Sequence, residues 1–406
     1  MDDSYVSFEQ ARALVRRHTP RLASRALPLS RLAGHVMAAP ARAKVASPSV
    51  TAAMKDGYAV MAAELTRASE QHPVRLRVIG AVAAGEQPAA AVGPGTAIRI
   101  TTGAPLPPGA DAVLPVELTR LDGDQVLCLA PADAHRNVLA RGSDVDQGQA
   151  LGAAGRVLTP ELVGLLAAAG CPEAQAHPRP RVALLATGRE VVAPGEPLPQ
   201  GSVYASNLVT LAAWLELHRM EHQVRVVDDS ADQIAAAVDQ LLAASDALLI
   251  SGGAWTSERD LVVGTLDGMG FEMAFRRVRM GPGKGVAFGR LRGRVVFCLP
   301  GGPPSNEMAF LQLALPALLM MAGHHDPGLP RLRARLAVEL TGQEDWTQFW
   351  HGHFTPGDGL PVFTPATFAG RLKAMAGSHG ILTLPQGQTK LSAGQTVTVQ
   401  RLAPAA

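Results

Sequence analysis

Between residues 181 and 321 the chain repeats one rhythm four times: a short apolar run, a Gly-, Pro- or Asp-bearing loop, then a helical pattern. The runs "RVALLAT" (181–187), "QVRVV" (223–227), "ALLIS" (247–251) and "RVVFCLP" (294–300) read as strands. Residues 203–218, 230–244, 260–269 and 303–321 read as the helices that follow them, with Ser230 and Gln233 opening the second. Strands alternating with helices need crossover connections, and crossovers join parallel neighbours. Strands that are apolar almost throughout are buried on both faces. The expected fold class is therefore α/β, multidomain, around a central parallel sheet.

The flanks follow other rules. Residues 7–18 read as a helix with Ser7 at its cap and Gln10 completing a capping box. From about 40 to 150 the chain breaks into short apolar runs punctuated by Gly and Pro, among them "VRLRVIG", "TAIRI", "DAVLPV" and "QVLCLA". Such punctuation predicts an inserted β-rich module. "TPELVGLLAAAG" (159–170) reads as a helix with Pro160 at its first position and Gly170 as its stop. "HPRPR" (177–181) and "HHDPGLP" (324–330) read as linkers, and "RLRARLAVEL", "GILTLP" and "TVTVQRL" as a small C-terminal β domain. The expected division is 1–178, carrying the β module at about 45–140, then 179–325, then 330–406.

Composition narrows the class. Hydrophobic residues make up 47% and charged ones 18%, which suits a globular chain. A net charge of +2 gives no reason to expect nucleic acid or a membrane surface, and the arginines of 331–335 read as one solvated strand face. Cys128, Cys171 and Cys298 lie far apart with no CxxC, which suggests inert thiols in a reduced compartment. The start "MDDSYVSFEQ" has no signal-peptide core, and the apolar run 308–323 is too short to span a bilayer and contains Pro316. The expectation is a cytoplasmic protein.

In an open parallel sheet, ligands bind beyond the carboxyl ends of the strands. Four such ends can be read here: "TGRE" (187–190), Asp228 with Asp229, Gly252-Gly253 with the loop to Asp260, and "PGGPPS" (300–305). Glycine lets a backbone approach a ligand closely, and a helix start that follows favours phosphate. Asp260 beside a phosphate would suit Mg²⁺, which takes one or two carboxylates plus phosphate oxygens. The plainer alternative stays open: the glycines make tight turns and Asp260 caps a helix. No GxGxxG follows a strand, and "MGPGKGV" (280–286) lacks both the spacing and the hydroxyl of a P-loop, although Lys284 can still meet an anion as a point charge. His351 and His353 alternate along an expected strand without metal-ligand spacing, so solvated or structural roles are expected of them.

Seven motifs then occur in order: "AAMKDGYAV" (52–60), "IRITTGAPLPPGADAVLPVE" (98–117), "RGSDV" (141–145), "ALLATGRE" (183–190), "SGGAWTSERD" (251–260), "GPGKGVAFG" (281–289) and "LPGGPPS" (299–305). Together they resemble the molybdopterin molybdenumtransferase family, which includes bacterial MoeA and the E domain of gephyrin. The resemblance spans nearly the whole chain. It implies a homodimer whose central domain binds adenylylated molybdopterin, releases AMP with Mg²⁺ present and inserts molybdate. It also implies contact with the molybdopterin adenylyltransferase or with downstream molybdoenzymes. By motif, Asp56 and Thr102 would come from the inserted module and reach a partner subunit's cleft. Glu190, Asp228 and Asp260 would act in catalysis and hold the metal. Thr187, Gly188, Gly252, Gly253, Lys284, Pro300, Gly301, Pro303 and Ser305 would cradle the pterin and its phosphate, and Asp144 is the acid of the "RGxD" turn.

The departures from the family are also specific. Trp255 stands where a hydroxyl is usual, Gly281 where a first lysine is usual, Arg189 where an Asp is usual, and Gly302 where an Asn is usual. The C-terminal "FxRG" falls on "FWHG" (349–352), which puts His351 or Trp350 in the place of an arginine. Ser, Lys and Arg would hold an oxyanion by charge-assisted hydrogen bonds. Two main readings follow: a molybdenumtransferase with a rearranged oxyanion site, or a relative that binds molybdopterin or finished cofactor without inserting metal. A scaffold role is a third, disfavoured by the retained Asp56, Asp228 and Asp260.

Overall fold

The computed structural model describes residues 5–188, 190–252, 261–366 and 371–402. Gly253, Trp255 and Asp260, together with Arg189, lie outside the described residues. The chain divides into two compact units: Arg25–Ala176, and the N-terminal segment through Ser24 together with His177 onward.

In the second of these, the central sheet has six strands in the order His222–Val227, Val182–Thr187, Ala247–Ser251, Arg294–Leu299, Ala287–Leu291, Glu272–Phe275. The first four pair in parallel, as the alternation predicts. The last two are antiparallel additions that the sequence reading does not contain. The first of them is set by Arg292 and Gly293, at φ +50° and +76°, which form a two-residue hairpin loop between the paired Leu291 and Arg294; Glu272–Phe275 then pairs on its outer edge. Positive φ at both loop positions is the hairpin geometry that matches strand twist, and an arginine in the first of them hides the signal.

Alternation along the strands sorts the core into two layers. Ala183, Leu185, Leu248, Ile250, Val296 and Cys298 face the helices Ala231–Ala244 and Leu261–Gly268 through Ile234, Val238, Leu241, Val262 and Leu266. Leu184, Ala186, Leu249, Phe297 and Leu299 face the other way. They meet Leu208, Leu211 and Leu215 of the helix Ser206–Leu217, Phe8, Ala11 and Val15 of the helix Phe8–His18, and the apolar segment after Pro303. Each such large side chain contributes about 1.5–3 kcal/mol by leaving water. The apolar segment runs as Pro303–Ala309, a wider π turn at Phe310–Ala314, and Leu315–Met321. Pro316 has no N–H to give the turn before it, which accounts for the change of pitch. Among the described residues no helix is long and apolar enough to cross a membrane.

Ser7 and Gln10 exchange the two bonds of a capping box, and Thr159 caps the helix Pro160–Ala168. Ser230 makes no side-chain cap bond; Gln233 instead accepts from the Asp228 N–H at 3.4 Å. The C-terminal region closes a ring of five strands: Thr347–Thr355, Val362–Pro365, Arg331–Leu336, Thr396–Arg401 and Gly380–Leu384, which pairs back to the first. Leu336, Phe363, Leu382, Leu384 and Val399 fill this barrel, while Arg331, Arg333 and Arg335 face solvent.

The unit Arg25–Ala176 holds a six-stranded sheet in the order Thr119–Asp122, Gln125–Cys128, Val74–Val82, Thr96–Ile100, Gly57–Val60, Ala112–Pro115. Both faces of this sheet carry buried side chains. A smaller three-stranded sheet packs with the helix Pro160–Ala168 around Met37, Leu158 and Leu166. All three cysteines are free and buried.

Candidate functional site

The four parallel strands end level with one another. Thr187 lies opposite Val227, Ala186 opposite Ser251, and Ser251 opposite Leu299. Two glycines follow directly. Gly188 has φ +144°, and a Cβ there would lie 2.9 Å from Glu190 Oε1, so the Glu190 carboxylate folds back over the glycine. Gly252 has φ +104°, donates its N–H to Leu299 O at 3.1 Å, and would place a Cβ 3.1 Å from Thr187 O. L side chains rarely adopt these φ values, so the turns need glycine before any ligand is considered.

Above this edge lies a cavity of about 690 Å³. Thr187, Glu190, Asn207, Gly252, Gly301 and Pro303 are among its lining residues. Five of them are sequence candidates from three different strand ends. A second wall is apolar: Leu198, Val203, Tyr204 and Leu372, each exposed on the surface, all line the same cavity. A wall of hydroxyl, carboxylate and backbone groups facing an apolar wall suits a flat ring carrying a phosphate.

Behind the lining, Ser251 is held by two amides. Asn207 Nδ2 donates to its Oγ at 3.2 Å and to Gly301 O at 2.8 Å. Asn306 Nδ2 donates to the same Oγ at 3.0 Å and to Pro300 O at 2.9 Å. The two side chains thereby fix the Pro300-Gly301 turn against the end of the third strand. Gly302 caps the helix that follows without a side-chain bond.

The remaining candidates are placed as follows. Gly283 packs on the helix Pro303–Ala309, where a Cβ would come 3.4 Å from Ser305 O and Ala309 N; Lys284 follows it and is exposed. Asp228 is exposed at the end of the neighbouring strand and is not among the residues lining the cavity. Asp56 and Thr102, in the other unit, are brought together: Asp56 Oδ1 accepts from the Thr102 N–H and from its Oγ1, both at 2.7 Å. The Thr102 N–H, its hydroxyl and then Arg99 hold the Asp56 carboxyl below the ordinary value of 3.8. Asp144 is exposed and donates its N–H to Ser47 O at 2.9 Å. Among the described residues, no three His, Cys, Asp or Glu side chains gather in a group that could hold a metal.

The C-terminal motif is resolved by burial. Trp350 packs against the barrel core, and His351 is 5% exposed with Nε2 at 3.1 Å from Glu307 Oε2. It is therefore buried rather than solvated, and it does not line the cavity. Sequence reasoning did not select Tyr204, Ser251, Asn306 or Leu372. Ser251 and Asn306 carried one usable signal: each is a small polar residue adjoining an apolar run at a strand or helix end. Leu372 carried none, since only the tertiary fold brings it to the cavity.

Three family models match consecutive stretches: the MoeA N-terminal region (domains I and II) over residues 6–170, the probable molybdopterin binding domain over 183–320, and the MoeA C-terminal region (domain IV) over 333–402. Molybdopterin molybdenumtransferase 2 of Mycobacterium tuberculosis is 31% identical across 92% of this chain and 94% of its own length. The molybdopterin molybdenumtransferase of Synechococcus elongatus is 32% identical across 86% and 87%. A crystal structure of the molybdopterin biosynthesis MoeA protein of Pyrococcus horikoshii superposes with a TM-score of 0.81 at 29% identity, covering 99% of this chain and all of that one. With motifs, domain order and fold in agreement along almost the entire length, the chain belongs to the MoeA family of molybdopterin molybdenumtransferases.

Proposed function

We infer that the protein serves molybdenum cofactor biosynthesis as a molybdopterin molybdenumtransferase. It takes adenylylated molybdopterin and molybdate, releases AMP, and leaves molybdenum on the pterin dithiolene. The observation that carries this reading is the two-walled cavity at the carboxyl edge of the central sheet, where glycine turns meet Glu190. Its apolar wall suits the rings. Thr187, Gly188, Gly252, Pro300, Gly301, Pro303 and Ser305 would offer backbone and hydroxyl groups to the phosphate, and the motifs add Gly253 and Lys284 to that set.

The hard carboxylate oxygens of Glu190, held over Gly188 at the cavity wall, fit Mg²⁺. Asp228 and Asp260 would complete its protein ligands, and the ion would neutralise phosphate charge as AMP departs. Asp56 and Thr102 form a rigid acid–hydroxyl pair. In a homodimer that pair would complete the cleft of the partner subunit. Contact with the adenylyltransferase that supplies the substrate, or with the molybdoenzymes that receive the product, belongs to the same reading.

A second reading, a protein that binds molybdopterin without inserting metal, draws on one observation. The residue in the arginine's place, His351, is turned to Glu307 and does not line the cavity. Purified protein, adenylylated molybdopterin, Mg²⁺ and molybdate separate the two. AMP release with molybdenum on the pterin is the expected result. Tight binding with no AMP and no metal transfer selects the second reading, and absence of binding by calorimetry overturns both.

A further inference from the structure

Glu307 does not line the cavity, yet its carboxylate joins two helices that do line it and the strand from which a third such helix hangs. Its side chain is 10% exposed, and its two oxygens are each engaged. Trp214 Nε1 donates to Oε1 at 3.0 Å, and His351 Nε2 lies 3.1 Å from Oε2. The three residues come from three elements. Trp214 is on the helix Ser206–Leu217, which brings Ser206 and Asn207 to the cavity; Glu307 is on the helix Pro303–Ala309, which brings Pro303. His351 is on the barrel strand Thr347–Thr355.

That strand carries part of the apolar wall. The Ala366 N–H donates to His351 O at 2.8 Å, and the His379 N–H donates to Gly352 O at 2.7 Å. The segment between them includes the helix Arg371–Ala376, whose Leu372 lines the cavity. Both flanks of this segment therefore hang from the same two residues of the strand, one of them His351.

Burying a carboxylate is costly unless it is paired, and an apolar replacement of a buried ion pair is often as stable or more so. Stability alone therefore does not account for a Glu at this position. We propose that Glu307, Trp214 and His351 are positioning residues: through one buried carboxylate they set the separation of the cavity walls, and so the affinity for the ligand, without touching it. This rests on the reading of the cavity as the molybdopterin site.

The test measures KM and kcat for adenylylated molybdopterin, after calorimetry of molybdopterin binding to the unsubstituted protein. His351→Phe keeps the volume filled but removes the bond. It is expected to raise KM by about tenfold while kcat stays within about threefold, the mark of an interaction that acts on binding alone. Glu307→Leu is expected to do the same. Glu307→Gln keeps an acceptor for Trp214 and a polar partner for His351, and is expected to bring KM back toward the unsubstituted value. Should His351→Phe fail to fold, Trp214→Phe removes the other bond at little change in volume and carries the same expectation.

Variants that unfold at lower temperature with KM and kcat unchanged would make the triad a structural tie only and overturn the proposal. So would Glu307→Gln behaving as Glu307→Leu, because charge rather than geometry would then matter. Failure of the unsubstituted protein to bind molybdopterin overturns the cavity assignment itself, and this inference with it; calorimetry reads that outcome before any variant is made.

Discussion

The polar groups of the cavity and those of the Asp56 turn are held in opposite ways. Around the cavity, buried side chains do the holding: Asn306 is 1% exposed and ties Ser251 to Pro300. In the β module, Asp56 and Thr102 are both exposed, and among the described residues the Asp56 carboxylate is held by Thr102 with no buried side chain behind it. Stability and site geometry are one problem in the central domain and two separate problems in the module. What the module needs for stability sits one residue further on. Gly57 lies in a strand between two others, and a Cβ there would fall 2.0 Å from Leu114 O. The "DGYA" motif thus joins an exposed acid, with a functional role proposed for it, to a glycine that close strand approach demands.

The largest expected effect follows from that glycine. Gly57→Ala must push paired strands apart or move the Leu114 carbonyl, so it should cost more than about 3 kcal/mol, beyond the ordinary range for overpacking. Chemical denaturation of the purified variant measures it. A loss below about 1 kcal/mol would mean that the strands adjust easily. The next effect lies in the central domain. Asn306→Leu leaves Pro300 O without its side-chain donor in a buried setting and Ser251 Oγ with Asn207 alone, and should cost about 1–3 kcal/mol. It should also weaken molybdopterin binding, because the Pro300-Gly301 turn loses its anchor. Third, Asp56→Ala removes only an exposed pair of hydrogen bonds, so it should lower the unfolding midpoint slightly and molybdenum insertion by about a hundredfold or more. A variant that lost stability and kept activity would reverse the contrast between the two regions.

Much of the central domain was legible because its signals are local. Apolar runs that are nearly continuous, helical patterns between them and Gly/Pro loops at the ends identify a parallel sheet and its carboxyl edge, and five of the edge candidates do line one cavity. The antiparallel strand Ala287–Leu291 escaped because the hairpin that joins it to Arg294–Leu299 turns on Arg292, whose positive φ no propensity predicts, and Glu272–Phe275 pairs onto that strand in turn. The apolar wall escaped for another reason. Leu198, Val203 and Tyr204 sit in one segment and Leu372 far along the chain, and exposed apolar residues acquire meaning only when the fold collects them. Glu307 illustrates the same limit. Within "PPSNEMAF" it reads as a polar residue on a helix, while its two partners stand 93 and 44 residues away.

The two units should also respond to acid in different windows. His218 and His324, half-buried in the central unit, are held below their ordinary value of 6.5, first by burial; Arg179 adds repulsion to both, and the His218 charge adds to that on His324. A folded state that resists protonation loses ground once the unfolded chain can take the proton. This contribution is therefore complete above pH 6.5 and declines as pH falls below it. Each histidine accounts for less than about 1.4 kcal/mol per pH unit, reduced further by its partial exposure. Asp56 in the module is depressed from 3.8, so its contribution is present above 3.8 and is lost only as pH falls further. Between pH 7 and 5, hydrogen exchange should show the central unit loosening while the strand Gly57–Val60 stays protected. His218→Gln combined with His324→Gln should flatten that decline. Loosening of both units together in the same window, unchanged by the double substitution, would show that these histidines do not set the acid response.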